Sequence, residues 1–315
     1  MQKRKIWENF LQWVLPCVLL VIALVLSIYD FNNKMEIAIQ TVVDDQAEQI
    51  GLYYAAGVED KLKALGNITD AVASIMAARL DRGEAFLNEK LDTLMKASDA
   101  YMVVYCATNG TGFLNDRRQI DMTELNYYDS ILGETPHYMF TRSDGINGQM
   151  AFIYVCPITN SGNVNGYLLS YMEPAEMSDF FENSVYGDKA FFSLVDRNGT
   201  IMACYGATQG TKILQNDFWN SLKGVAESLG SWTLFDRQQQ KGDNGILHVN
   251  ENGVGKILCH FPIADTAWNL VVGIDESYLS GIQQSFRGPI VDLIVKISIS
   301  IAAALIVITV INVLV

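Results

Sequence analysis

The amino-acid sequence predicts an α+β protein in which a long N-terminal helix leads into two similar antiparallel-sheet lobes, with a transmembrane helix at each end. Three observations indicate this architecture: an uncharged apolar stretch near each end, apolar residues at helical spacing after the first stretch, and a strand pattern that occurs twice. With 315 residues, half of them hydrophobic, the chain is long enough for two domains of ordinary size.

The first apolar stretch covers residues 9–29. A bilayer core about 30 Å thick needs about 20 helical residues, so this stretch predicts a first transmembrane helix. Three basic residues lie just before it, and the positive-inside rule therefore makes residues 1–8 a cytoplasmic head. A cleaved signal peptide is the alternative, but 21 uncharged residues exceed a usual signal core and no small-residue cleavage site follows.

The second apolar stretch, residues 297–315, lies within a second predicted transmembrane helix over residues 289–315. Asp292 and Lys296 are four residues apart near its start, where they can form an ion pair at the membrane interface. Two crossings with a cytoplasmic head make the central part extracytoplasmic. The sequence stops at Val315, directly after this stretch, which we interpret as a cut through a longer protein.

Charge and cysteine content narrow the choice of partners. The formal net charge is −13, which argues against nucleic acid and anionic lipid surfaces as partners. Four cysteines outside the first apolar stretch show no CxxC or metal-ligand spacing. Each lies in an apolar, strand-like run, so free thiols are favoured, and disulfide pairing stays open for Cys106, Cys156, Cys204 and Cys259.

Two helices are predicted within residues 30–98. Apolar residues recur at three-and-four spacing over residues 32–78 without a proline, which is typical of an amphipathic helix about 70 Å long. A shorter helix is predicted over residues 84–97 after a turn. Such a long helix needs a partner for its apolar stripe, because isolated helices are marginally stable in water.

After residue 100 the pattern changes to that of strands, and it then repeats. Strands are predicted at residues 101–108, 137–142, 149–158 and 165–173, with short helices at 125–132 and 174–184. Residues 105–111 recur as residues 194–200, and both runs end in an Asn-Gly-Thr turn. A Pro-Ile pair before a closing strand also occurs in both halves, which indicates two copies of one unit.

Each copy has the element order of a PAS-like lobe, and the whole layout resembles the double Cache sensor region of bacterial transmembrane receptors. The first lobe (residues 99–185) would be membrane-distal, and the second lobe (residues 186–277) membrane-proximal. A linker helix over residues 278–288 would lead to the second span in the bacterial cell membrane. The resemblance implies a homodimer with a missing cytoplasmic output domain: a diguanylate cyclase or phosphodiesterase, a histidine kinase or, less expected, a chemoreceptor module.

In this family small molecules usually bind the distal lobe, and one subgroup binds amino acids through an arginine and a later aspartate. By resemblance Leu125 takes the place of the arginine and Tyr171 that of the aspartate. A buried zwitterion would then lack both charged partners. We therefore expect a ligand that is not a free amino acid in the usual double Cache mode, but a planar or neutral polar molecule such as a nucleobase or a sugar.

Tyrosines dominate the candidate ligand site, because they offer flat apolar faces and a hydroxyl. The candidate residues are Tyr105, Arg117, Tyr127, Tyr128, His137, Tyr138, Tyr154 and Tyr171. Ordinary half-buried packing of tyrosines on strands is the alternative. Trp232 and Trp268 are interpreted as core residues of the second sheet.

No catalytic motif is present: HExxH, GxSxG and the phosphate loop GxxxxGK are all missing from the sequence. We therefore predict a binding protein without a cofactor rather than an enzyme. A surface adhesion protein anchored at both ends is the main alternative, and an extracytoplasmic hydrolase is a more distant one.

Overall fold

The computed structural model describes residues 2–79, 82–182, 187–206, 217–276, 278, 288–301, 303–304 and 307. The chain divides into two compact units. One comprises Met1–Gln46 with Glu276–Val315, and the other comprises Ala47–Asp275. Both predicted lobes belong to the second of these units, apart from residues 276 and 277.

The α-helices are α1 (Gln2–Ala77), α2 (Glu84–Ala97), α3 (Tyr128–Ile131), α4 (Ser178–Glu182), α5 (Phe218–Lys223) and α6 (Leu229–Lys241). The strands of the first lobe are β1 (Met102–Ala107), β2 (Thr111–Leu114), β3 (Gln119–Asp121), β4 (His137–Thr141), β5 (Ala151–Asn160) and β6 (Asn163–Met172). Those of the second lobe are β7 (Ala190–Asp196), β8 (Ile201–Gly206), β9 (Gly245–Glu251), β10 (Val254–Pro262) and β11 (Trp268–Asp275).

Five strands follow the same order in both sheets, which confirms the predicted duplication, and the first sheet has β3 as an additional edge strand. The strand orders are β3-β2-β1-β6-β5-β4 and β8-β7-β11-β10-β9, with neighbouring strands antiparallel. The repeated Asn-Gly-Thr turns close the β1–β2 and β7–β8 hairpins. Gly110 and Gly199 have φ values of 86° and 87°, a left-handed conformation that favours glycine. Of the repeated Pro-Ile pairs, Pro157 and Ile158 lie in β5, and Pro262 ends the corresponding strand β10.

Helix α1 includes the whole predicted stretch 32–78 except its last residue, and α2 has the predicted bounds. Most of the apolar stripe on α1 is buried, as at Val58, Leu62 and Leu65, whereas Ile75 is 47% exposed. The stripe packs on both lobes. The Tyr54 ring centroid lies 4.6 Å from that of Phe192 in β7, and the Thr69 hydroxyl oxygen lies 2.7 Å from that of Ser170 in β6.

Three details differ from the predicted elements. Of the predicted helix 125–132 only the single turn α3 is α-helical, because Leu125 has an extended backbone that separates α3 from a 3-10 helix at Met122–Glu124. Residues 174–182 form a 3-10 turn that runs into α4. Trp232 lies on α6 rather than in the sheet, whereas Trp268 begins β11 as predicted.

The terminal unit is described only in part. In the described residues, no helix has both the length and the apolar character of a membrane span. Residues 288–301 are helical, and the predicted pairing of Asp292 with Lys296 is confirmed. The predicted linker helix 278–288 lies outside the described residues, apart from Tyr278 and Gly288. Cys106, Cys156 and Cys204 are free thiols, of which only Cys204 is exposed.

Candidate functional site

The first-lobe sheet presents different surfaces on its two sides, because side chains alternate along each strand. On one side Met102, Val104 and Cys106 of β1 join an apolar cluster with residues of β5, β6 and the segment between β3 and β4. We call this side the insert face. The other side, the helix face, packs against α1 through contacts such as Thr69–Ser170. A small molecule held between the sheet and the segment β3–β4 would meet the insert face.

Four of the predicted site residues lie on the insert face. Tyr127 and Tyr171 belong to its buried cluster, and Tyr128 packs against that cluster. His137 is paired with Val155, another member of the cluster, in the β4–β5 ladder. Its Nδ1 lies 3.0 Å from the Thr135 carbonyl oxygen and its Nε2 lies 2.8 Å from that of Ser130, so the imidazole ties the segment before β4 to the strand.

The other three predicted tyrosines point to the opposite side. The Tyr154 hydroxyl donates to both carboxylate oxygens of Asp70 on α1, each at 2.9 Å. Tyr138 donates to the Leu62 carbonyl on the same helix at 2.8 Å. Tyr105 donates to the Asn165 carbonyl at 3.0 Å. The six tyrosines thus do not form one wall, because successive side chains along a strand point to opposite faces of the sheet.

Arg117 is tied to α2 and does not line the insert face. It adopts a left-handed φ of 75° in the β2–β3 turn, and its Nη2 lies 2.7 Å from Asp92 Oδ2. This ion pair, half exposed on both sides, lowers the pKa of Asp92 through the hydrogen bond from the guanidinium. The neighbouring Arg118 instead reaches the segment between β4 and β5, where its Nη2 contacts Asn147 Oδ1.

A buried hydrogen-bond network around Asp144 holds the insert face together. Asp144 is fully buried, and its Oδ1 accepts the backbone N–H groups of Ile146, Asn147 and Gly148 at 2.7–2.9 Å. Its Oδ2 accepts the Tyr101 hydroxyl at 2.8 Å. Burial raises the pKa of Asp144, but these hydrogen bonds outweigh it and the pKa is lowered, so the carboxylate stays ionised.

The two buried tyrosines of the insert face extend this network. The Tyr127 hydroxyl donates to the Asp144 carbonyl at 2.6 Å, which leaves the Tyr171 hydroxyl, 3.2 Å away, to donate to the Tyr127 oxygen. Burial raises the pKa of Tyr127 to about 12 and that of Tyr171 well above its usual value. Both hydroxyls therefore remain protonated donors at neutral pH.

Sequence reasoning missed Asp144 and Tyr101. The signal was present for Asp144, because an aspartate shortly before Gly145 and Gly148 is typical of a turn in which its side chain accepts backbone N–H groups. Nothing in the sequence pairs this turn with Tyr101, which lies 43 positions earlier.

A cavity of about 520 Å³ opens at the edge of the insert face, next to this network. It lies where β3 and the 3-10 helix meet the turn that contains Asp144. Its charged lining residues are Arg118, Asp121 and Glu124. Its apolar lining residues are Ile120, Leu125 and Ile146, all of which pack against the buried cluster. One basic group, two acidic groups and an apolar wall therefore surround the same space.

Arg118 is held at the cavity by flexible polar contacts. Its Nε lies 2.6 Å from Asp116 Oδ2, and its Nη2 lies 3.3 Å from Asn147 Oδ1. Both ion-pair partners are about half exposed, so the pair contributes little stability and can rearrange at low cost. Among the described residues, no group of three His, Cys, Asp or Glu side chains is arranged to hold a metal ion.

Solved structures of sensory domains from bacterial receptors share this fold. The extracellular domain of rpHK1S-Z16, described as a histidine kinase, has a TM-score of 0.59 at 15% identity and covers 77% of this chain and 98% of its own. The ligand-binding domain of the Pseudomonas fluorescens chemoreceptor CtaA, in complex with L-isoleucine, has a TM-score of 0.60 at 14% identity and covers 78% and 97%. No protein-family model and no curated protein matches the sequence.

A third similar structure is the ligand-binding domain of the Campylobacter jejuni chemoreceptor Tlp3 in complex with L-valine, with a TM-score of 0.56 at 15% identity and coverage of 76% and 95%. At these identities the likeness shows the fold alone. The predicted double Cache architecture of the central part of the chain is thereby confirmed.

The prediction that the ligand is not a free amino acid in the usual double Cache mode is wrong. CtaA and Tlp3 domains of this fold are complexes with L-isoleucine, L-serine, L-leucine or L-valine, which also removes the basis for a nucleobase-like or sugar-like ligand. The prediction assumed that only positions 125 and 171 could supply charge. In the structure, Arg118, Asp121 and Glu124 bring charges of both signs to the cavity beside Leu125.

Proposed function

We propose that this chain is the sensory part of a bacterial membrane receptor, and that its first lobe binds a free α-amino acid with an apolar side chain. The observation that carries the proposal is the first-lobe cavity with a guanidinium and two carboxylates at an apolar wall. The comparisons support the ligand class, since similar domains of CtaA and Tlp3 were solved with such amino acids.

The chemistry of the cavity suits a zwitterion. A guanidinium can bind a carboxylate through two parallel hydrogen bonds, which makes Arg118 the partner of the α-carboxylate. Glu124 is the partner of the α-ammonium group, because Asp121 already accepts the Thr123 backbone N–H and hydroxyl at 2.9 and 2.6 Å. Ile120, Leu125 and Ile146 would contact the aliphatic side chain.

The membrane topology is part of the proposal. The apolar stretches at residues 9–29 and 297–315 would span the bacterial cell membrane, with the N-terminus cytoplasmic and both lobes outside. The receptor would act as a homodimer that binds its ligand without converting it. Ligand binding would favour one of two states and so change the activity of a cytoplasmic output domain, a diguanylate cyclase or phosphodiesterase or a histidine kinase.

Calorimetric titration of the full chain in detergent tests the ligand class. L-leucine, L-isoleucine and L-valine should bind, whereas 4-methylpentanoate and 3-methylbutylamine, which lack the ammonium and the carboxylate of leucine, should not. Arg118→Gln and Glu124→Gln should each raise Kd at least about tenfold, since loss of a charged partner costs more than about 1.4 kcal/mol.

Arg117→Gln is the matched control. Arg117 is adjacent in sequence but bonds to Asp92 of α2, so its replacement should leave Kd unchanged. Binding that is equally weak in both arginine variants, or no binding of any amino acid by the folded chain, would contradict the proposed site. Alkaline phosphatase fused within either lobe should be active outside the cytoplasm, and inactive fusions would contradict the topology.

A further inference from the structure

The second lobe contains a separate cavity of about 280 Å³, where the end of α6 meets the turn between β10 and β11. Its wall includes Arg197, Gln239, Lys241, Pro262, Trp268 and Asn269. None of these residues belongs to the first lobe, so this cavity is a different site from the first-lobe cavity.

Two polar side chains of this wall are buried without a hydrogen-bond partner. Gln239 is 9% exposed and Asn269 is 5% exposed. Within the described part of the chain, neither Gln239 Nε2 nor Asn269 Oδ1 has a partner. Buried polar groups are nearly always hydrogen-bonded, and an orphan in a native structure calls for an explanation. Here the two residues that carry these orphan atoms line the same cavity.

The charged groups of the wall favour an anion. Arg197 and Lys241 line the cavity and are exposed, and among its described lining residues there is no acidic side chain. Both lie near the C-terminal end of α6. The hydrogen bond from Arg197 to the Gln240 carbonyl in that helix is long, 3.4 Å, so the guanidinium is weakly held there.

We propose that this cavity binds a small hydroxycarboxylate. The carboxylate would accept a hydrogen bond from Gln239 Nε2 and pair with Arg197 and Lys241 at the rim. The hydroxyl would donate to Asn269 Oδ1, the orphan acceptor. The carbon atoms would contact Pro262 and Trp268. One ligand would thus supply a partner to both buried orphans, which a simple carboxylate without a donor would not do.

The proposed site lies next to the contact between the two lobes. The Trp268 ring centroid lies 5.3 Å from that of Phe152 and 6.3 Å from that of Tyr138, and both are first-lobe residues. A ligand that contacts Trp268 would therefore affect the contact between the lobes. The same receptor could then respond to both amino acids and hydroxycarboxylates.

Titration of the full chain in detergent with two matched pairs of acids tests the proposal. Lactate and malate should bind and raise Tm at millimolar concentration, whereas propionate and succinate, which lack the hydroxyl, should bind at least about tenfold more weakly. No binding of either hydroxy acid, or equal binding of the members of each pair, would overturn the proposal.

Variants locate the site. Gln239→Met and Asn269→Leu remove the orphan atoms at nearly constant volume, so the ligand-free Tm should not fall, while Kd for the hydroxy acid should rise at least about tenfold. If a buried variant fails to fold, Arg197→Gln replaces an exposed residue and should still weaken binding. Arg118→Gln in the first-lobe cavity should leave the Kd for the hydroxy acid unchanged. Unchanged affinity in Arg197→Gln and in the folded buried variants would overturn the assignment.

Discussion

The hydroxyl oxygens of Thr69 on α1 and Ser170 on β6 lie 2.7 Å apart, and neither side chain is exposed. The Thr69 hydroxyl donates to the Leu65 carbonyl at 2.7 Å. Its single proton is therefore engaged, and the Ser170 hydroxyl must donate to the Thr69 oxygen. The first lobe is thus attached to the helix by a buried polar contact with a defined direction.

Because the hydrogen bond has this direction, replacing Thr69 and replacing Ser170 should lower the free energy of unfolding by different amounts. Thr69→Val leaves the Ser170 proton buried without an acceptor and should lower the free energy of unfolding by about 1–3 kcal/mol. Ser170→Ala removes only one acceptor interaction of Thr69 and should cost less. The double variant should be more stable than Thr69→Val alone, which urea unfolding of all four proteins would measure. Equal costs for the two single variants would contradict the direction.

Gly66 on α1 is expected to resist the replacement that usually stabilises helices. A Cβ at this position would lie 2.6 Å from the Tyr138 hydroxyl oxygen and 3.2 Å from the Tyr154 ring. Gly66→Ala should therefore lower stability by about 1–3 kcal/mol through overpacking, despite the roughly 1 kcal/mol helix preference of alanine. Gly230→Ala on α6 is the control, because its nearest neighbour would be 3.9 Å away, and it should not lower Tm.

His260 should make the second lobe sensitive to acid. Burial lowers its pKa to about 4, opposed in part by the Phe235 backbone carbonyl, and the Phe235 ring lies edge-on to the imidazole, 4.5 Å away between centroids. In the unfolded chain this histidine has a pKa near 6.5, so the unfolded chain binds a proton at a higher pH than the folded chain does. The stability that comes from neutral His260 is therefore fully present above pH 6.5 and falls as the pH is lowered toward 4.

From pH 7.5 to 5 this group should lower the free energy of unfolding by about 2 kcal/mol. Urea unfolding at several pH values would measure the slope in the wild type and in His260→Phe, which keeps an aromatic ring and removes the titration. The slope between pH 5 and 6.5 should be smaller in the variant. An identical slope would show that another group titrates in this range.

Trp268 should couple the unfolding of the two lobes. It belongs to β11 of the second lobe, yet its ring contacts those of Phe152 and Tyr138 in the first. Trp268→Ala should lower stability by about 3–5 kcal/mol and separate one thermal transition into two. Trp232→Ala is the control, since Trp232 packs inside the second lobe and its loss should not separate the transitions. Calorimetry that gives the same result for both variants would contradict a coupling role.

The parts of the fold that local chemistry determines could be predicted from the sequence. The Asn-Gly-Thr turns predicted both hairpins, because the left-handed positions of Gly110 and Gly199 are a local requirement. The stripe on α1 predicted its buried face, since helical periodicity requires no knowledge of the partner. Helix α3 is shorter than predicted, because the extended backbone of Leu125 separates it from the preceding 3-10 helix.

The candidate site could be predicted only in part. The many tyrosines of the first lobe were predicted to line one ligand site. The strand register instead places Tyr171 on one face of the sheet and Tyr154 on the other. Register depends on pairing between distant segments, so it is not readable from composition. The charged cavity was missed for a related reason: Arg118 and Glu124 meet Ser143 and its neighbours only through the tertiary fold.

Helix α1 contacts the second lobe around Tyr54 and the first lobe around Thr69, and the residues between them are part of one continuous helix. One added or deleted residue between these positions would turn one set of contacts by about 100° relative to the other. Exposed positions of this segment can accept substitutions during evolution, but insertions and deletions should be almost absent. The number of residues separating Tyr54 from Thr69 is an inherited constraint, and an alignment of relatives should show it as a stretch without gaps.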